Sequence, residues 1–230
     1  MVLHEWIKKH PLSLLLKLEK VGIDIRRDAL EVGPGSHYTM GGVRINEDCE
    51  TKLPRLYAVG EVASGMDGAE RIDGGPAITW CLCMGYIAGK RTAKQVRELD
   101  WLRIDPEQVK EEQERISLLL KQKEGVRGFE IKNKVKDIMW EDCALVRDGE
   151  GLKKALTLLQ NVRDNDLPRI CVPDSSRIFN KGLIEGFEAT HMLELSEMTV
   201  RAAIMREETR KSHYRTDFPK RDDKNWLKNI

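Results

Sequence analysis

Residues 37–89 read HYTMGGVRINEDCETKLPRLYAVGEVASGMDGAERIDGGPAITWCLCMGYIAG, and the rest of the chain is organised around them. His37 to Met40 has the look of a short strand, and it ends on Gly41-Gly42, which would let the backbone approach a ligand closely. Val43 to Asn46 alternates like a second strand, and the turn-rich Glu47 to Pro54 predicts a hairpin-like excursion. Leu56-Tyr57-Ala58-Val59 is an apolar run of buried-strand type that stops at Gly60-Glu61. A glycine-rich loop follows, and Pro76 stands where a first helical turn would begin. From Ile78 to Ala88 the chain is apolar nearly all round, the pattern of a buried helix.

HYTMGG, then LYAVGE, then GAER ahead of that helix resembles the flavoprotein subunits of succinate dehydrogenase and fumarate reductase. L-aspartate oxidase and adenylylsulfate reductase belong to the same wider group. The far end agrees, since REETRKSHYRTDFPKRDDKNWL at 206–227 is similar to the family's C-terminal signature. The resemblance covers only the C-terminal part of such a protein. It implies FAD as cofactor, shared with an N-terminal FAD-binding subunit or domain, and, as a further partner, it implies an iron–sulfur subunit.

The 230 residues carry 39 Lys+Arg against 38 Asp+Glu, a net charge of +1. That balance gives no global attraction to nucleic acid or anionic lipid. Five cysteines, an odd number without paired spacing, point to a reducing compartment rather than a disulfide scaffold. Cys81 and Cys83 would face different sides of a helix, so no metal site is expected there. The longest apolar run falls short of the ~20 residues that span a bilayer, and MVLHEWIKKH has no signal-type apolar core. A cytoplasmic protein is expected, or one held at a membrane through partners.

The expected fold is α+β, the C-terminal piece of a flavin domain (short strands plus a buried helix) followed by an α-helical bundle. Residues 1–100 would complete the flavin domain, 101–210 form the bundle, and 211–230 form a tail. A short helix should start near Pro11 and end before Gly22, with strand fragments at Ile23–Ile25 and Ala29–Val32. The charged stretch 91–128 should hold helices at about Ala93–Leu99 and Pro106–Lys123. Amphipathic helices follow at Phe129–Arg147 and around Leu152–Val162. A long helix at Asn180–Thr209 should bury Leu183, Phe187, Leu195, Met198, Ala202 and Met205. Polar residues 214–230 read as a disordered end on composition alone; the family signature implies an ordered strap.

No Gly-x-Gly-x-x-Gly follows a strand anywhere in the chain, so the turn that would cradle a dinucleotide pyrophosphate is not within it. What remains is half a site. Taken alone, His37 reads as a structural histidine; the resemblance implies that it donates to a substrate carboxylate or carbonyl. Thr39 and the Gly41-Gly42 backbone would lie beside the flavin. Glu61, a carboxylate at the end of an apolar strand, must find donors; the resemblance implies ribitol hydroxyls, and a helix-capping role is the other reading. Arg71 can grip a carboxylate with two parallel hydrogen bonds, but Asp67, Glu70 and Asp73 crowd it, and the family's Ser-Leu pair beyond it is absent. Gly74-Gly75 leads into a helix whose N-terminus could face the flavin's pyrimidine edge or could simply start the helix. Two functions follow: half of an oxidoreductase passing hydride between substrate and flavin N5, or a subunit-interaction module derived from that family.

Overall fold

The structure, a computed structural model, describes residues 13–24, 27–30, 33, 35, 37–63 and 76–228. It divides into two units, Met1–Tyr38 and Thr39–Ile230.

In the first unit, α1 (Ser13–Lys20) ends where the sequence predicts. Gly22 adopts φ +84, the Ile23 N–H reaches Leu18 O at 3.0 Å, and the Gly22 N–H reaches Glu19 O at 3.1 Å. These two bonds close the helix as a Schellman turn. Among the described residues of 23–32 there is no strand. Asp28 folds back on Asp24 instead, its carboxylate accepting the Asp24 N–H at 2.7 Å. An extended pair of residues with no ladder neighbour has no reason to stay extended.

The second unit begins with the loops of the opening stretch and continues into α2 (Pro76–Gln95). A break and a separate helix at 93–99 were expected; the helix instead runs through Gly89 without interruption. After an extended linker, α3 (Pro106–Lys121) starts on Asp105, whose side chain accepts the Glu107 N–H, with Pro106 in the first turn. The bundle proper is α4 (Gly128–Cys143), α5 (Gly149–Asn161) and α6 (Lys181–Met205). Asp148 caps α5 through the Gly151 N–H at 2.8 Å, and Asn180 caps α6 through the Leu183 N–H at 2.9 Å. Such caps are each worth about 1 kcal/mol.

The core lies between these three helices. Ile131 and Val135 of α4 meet Leu152, Ala155 and Leu159 of α5 and Ala189, Leu193 and Val200 of α6, all buried. The face that α6 buries differs from the expected one. Leu195, Met198 and Met205 are 63%, 64% and 57% exposed, while Gly186, Ala189, Leu193, Ser196, Val200 and Ala203 turn inward. Small residues let α6 approach its neighbours closely.

Two parallel two-residue ladders tie distant segments to the bundle. β1 (Val126–Arg127) pairs with β3 (Ile170–Cys171), and β2 (Val146–Arg147) pairs with β4 (Tyr214–Arg215). The second ladder belongs to an ordered tail, which ends in the short α7 (Asp223–Trp226). Fully buried Glu208 is its hub. Its carboxylate accepts from Arg206 Nη1 at 2.7 Å, Arg210 Nε at 2.7 Å and the Asp222 N–H at 2.9 Å. Burial alone would raise this carboxyl; the bonds from Arg210, the Asp222 amide and Arg206 outweigh that and hold it below the usual range. Arg210 also reaches Asp223 at 2.7 Å, and Arg206 stacks on Trp226. The tail arginines are thus structural partners of nearby acids.

Candidate functional site

Gly42 decides how the opening stretch folds. Its φ is +129, and a Cβ there would sit 2.3 Å from Val62 O. Only glycine allows that approach. The close approach the double glycine predicts is therefore made to the chain's own backbone. It lets the Val43 N–H donate to Val62 O at 2.8 Å and forms a parallel bridge between Val43 and Ala63. Residues 60–62 make a single 3-10 turn that swings Glu61 back over the HYTMGG segment, where the Thr39 N–H donates to Glu61 Oε1 at 2.8 Å.

The rest of 37–59 is less regular than predicted. Outside bridges at Val43, Glu50 and Tyr57, no strand forms here, and Leu56 and Val59 are exposed. The excursion is hairpin-like as expected: Glu50 faces Tyr57 across an antiparallel bridge. It is fastened to α2 by side chains. The Tyr57 hydroxyl bonds both Glu50 and Gln95, and Gln95 Nε2 donates to Glu50 at 2.6 Å. Bonds from Gln95, Tyr57 and Asn46 hold the Glu50 carboxyl below its usual value. Cys49 is fully buried against Met84 and Ala88, its thiol pointing at Met84 O.

Of the sequence-predicted site residues, Thr39, Gly41, Gly42 and Glu61 come together in this elbow. His37 is exposed and lies in the first unit. Arg71, Gly74 and Gly75 lie outside the described residues. Sequence reasoning missed Met40 as a contact: the Ser212 hydroxyl of the tail donates to its sulfur at 3.6 Å, so the C-terminal signature touches HYTMGG. No motif could have signalled that. All five cysteines are free, and among the described residues no group of His, Cys, Asp and Glu could hold a metal.

Two features of the elbow bear on whether it could take a ligand edge. Among the described residues, nothing lies within 4 Å of where a Gly41 Cβ would be, so the backbone is open there. Among the described residues, Glu61 accepts one hydrogen bond, from Thr39, which leaves its other oxygen able to receive sugar hydroxyls.

Residues 132–230 match the family described as fumarate reductase flavoprotein C-term, and residues 12–76 match the FAD binding domain family. A fumarate reductase (CoM/CoB) subunit of Methanothermobacter marburgensis is 37% identical over 207 residues, covering 90% of this chain and 37% of that protein. Among solved structures, the flavoprotein chain of Escherichia coli quinol fumarate reductase superposes with a TM-score of 0.86 at 28% identity, covering 96% of this chain and 38% of that one. The Mycobacterium smegmatis Sdh1 complex gives 0.86 at 30% identity, with 95% and 37% covered. The fold matches the C-terminal region of FAD-dependent flavoproteins. The chain belongs to the succinate dehydrogenase and fumarate reductase flavoprotein family, and it spans a little over a third of the length of these relatives.

Proposed function

We propose that the chain is the C-terminal part of an FAD-dependent oxidoreductase in which hydride passes between substrate and flavin N5. A separate N-terminal FAD-binding subunit or domain would supply the dinucleotide turn. The observation that carries this reading is the Thr39 N–H on Glu61, which sets Thr39 against Glu61 beside Gly41, whose Cβ position is open among the described residues. FAD, when bound, supplies the two-electron chemistry. Glu61 accepts ribitol hydroxyls; Thr39 and the Gly41-Gly42 backbone line the ring. His37 donates to a substrate carboxylate or carbonyl and Arg71 holds a carboxylate. The helix start after Gly74-Gly75 offers N–H groups to the ring's pyrimidine edge.

In this reading residues 1–100 complete a flavin domain, 101–210 form the bundle and 211–230 strap the two together. An iron–sulfur subunit carries electrons to or from the flavin. Among the described residues no helix is long and apolar enough to cross a membrane; the assembly works in the cytoplasm, or at a membrane through its partners.

The test is anaerobic flavin reduction by candidate substrates after reconstitution with the N-terminal part, wild type beside Arg71→Lys. Lysine keeps the charge and loses the planar fork, so kcat/KM should fall on the order of 30- to 1000-fold. Equal rates with a lowered melting temperature would instead favour the subunit-interaction module.

A further inference from the structure

Arg147 is a cation without a counter-charge. It stands in the two-residue ladder that fastens the tail, directly opposite Arg215. Ladder partners project to the same face, so that face carries two guanidiniums. Asp217 answers only one of them, because its oxygens take Arg215 Nε and Nη2 and the Gly149 N–H. Other acids of the bundle ends are engaged as well: Asp142 pairs with Lys154 at 3.0 Å, and Glu208 holds Arg206 and Arg210. Arg147 makes a single side-chain hydrogen bond, Nε to Ala144 O at 2.9 Å, and among the described residues it has no ion pair. Its Nη1 and Nη2 are unbonded among those residues, yet solvent reaches them.

We infer that Arg147 anchors a binding site for a small free oxyanion, a phosphate or a carboxylate, where β2 and β4 join the tail to the bundle. The site is independent of the flavin reading above. A half-buried charge partly withdrawn from water is unfavourable until an opposite charge meets it. Burial drives the Arg147 guanidinium below the ordinary arginine value; the Cys143 side chain opposes this, and the Arg215 charge adds to it. The bond from Nε to Ala144 O fixes the plane of the group and leaves its outer edge for a ligand. That edge presents two parallel N–H bonds, which match two oxygens of one phosphate or carboxylate and have no such match in a single-atom halide. The surroundings select the sign: the Arg147, Arg215 and Arg206 charges all bear on His213, so negative charge is favoured here. An occupied site would neutralise the paired guanidiniums across the ladder and hold the tail more firmly to the bundle.

The experiment is thermal melting of the purified chain in inorganic phosphate and in sodium chloride at matched ionic strength and pH, beside calorimetric titration with phosphate. Phosphate stabilises many proteins by exclusion from their surface, so the comparison between variants decides. Wild type should melt roughly 2–4 °C higher in phosphate than in chloride and bind one phosphate per chain. Arg147→Gln should lose both effects. Arg147→Lys, which keeps the charge without the fork, should bind phosphate about tenfold more weakly, and it carries the test alone if Arg147→Gln fails to fold. Arg103→Gln, the same charge change on the exposed linker, should keep both effects. Amide exchange locates the site: the Thr216 N–H, bonded to Arg147 O at 2.9 Å, should slow in phosphate while that of Val109 on α3 does not. An equal gain in wild type and both Arg147 variants would mean an adventitious ion only and overturn the site. So would a gain matched by chloride. Phosphate binding that disappears once the chain is joined to its upstream FAD-binding part would overturn it too, by making a carboxylate of that part the occupant.

Discussion

Arg215 and Asp217 face each other as a two-pronged pair, Nε to Oδ1 and Nη2 to Oδ2, each at 2.7 Å. The same guanidinium turns its Nη1 to Ala203 O at 2.7 Å, capping the last turn of α6, and it lies over the Phe218 ring. Asp217 in turn accepts the Gly149 N–H at the start of α5 at 2.9 Å. One arginine therefore joins the ends of two bundle helices to the tail.

Arg215→Lys should be costly for that reason. An ammonium keeps the charge but cannot hold Asp217 by two parallel bonds and reach Ala203 O as well. The orphaned buried carbonyl and weakened pair should together lower stability by roughly 2–4 kcal/mol. Urea unfolding followed by circular dichroism measures it, and a change below about 0.5 kcal/mol would show that the fork is ornamental.

Acid should erode the stability of the bundle in two steps. Burial pushes the His213 imidazole below its ordinary value. Its bond to Arg206 O opposes this, and the Arg147, Arg215 and Arg206 charges add to it. The unfolded chain then takes the proton first, so His213's contribution is whole above about pH 6.5 and declines as pH falls below that. Arg215 pulls the Asp217 carboxyl down to about 2; its contribution is whole above about pH 4 and fades as pH drops toward 2. Melts across this range should show both declines, and His213→Gln should remove the upper one alone.

Leu156 and Leu195 should part company. Leu156 packs on the bundle core, and truncation to alanine should cost about 2–3 kcal/mol. Leu195 points to solvent, and Leu195→Ala should fall within about 0.5 kcal/mol of the parent. Matched losses at the two positions would mean α6 is rotated from the face described.

Gly42→Ala tests the elbow. Alanine at φ +129 is strained and would collide with Val62 O, so the Val43–Val62 bond should open at a cost of roughly 1–3 kcal/mol. Hydrogen exchange at the Val43 amide should accelerate while that of Leu193, in the bundle, stays slow. Equal protection in both proteins would show that the approach is not needed.

Most helix positions were legible because they rest on short-range signals: Pro106 and Asn180 mark two starts, and Gly22 marks a stop; α5 was less so, because Gly149-Glu150-Gly151 reads as a break and is instead its first turn. The face of α6 was not. Apolar residues run all round it, so periodicity offers no direction, and size misled: Leu195 and Met198 looked like core, whereas Ala189, Ser196 and Ala203 make the contact. The ladders at 126–127 with 170–171 and 146–147 with 214–215 are too short to carry an alternation and join segments far apart in sequence. In the elbow, the resemblance carried by HYTMGG and LYAVGE implied that the two segments share a site. Their actual link, a backbone N–H on a carboxylate, depends on the Gly42 approach, which no local pattern encodes.

The capping of Ala203 O by a residue twelve positions further on sets a timetable for synthesis. As the chain leaves the ribosome, α6 can wind and meet α4 and α5, but its final turn stays open until Arg215 and Asp217 have emerged. Folding of the bundle is therefore expected to finish only after the Tyr214–Asp217 segment has emerged. Stalled chains ending at residue 205 should be cut readily at α6 by added protease, whereas those extended through residue 228 with a tunnel-length linker should resist.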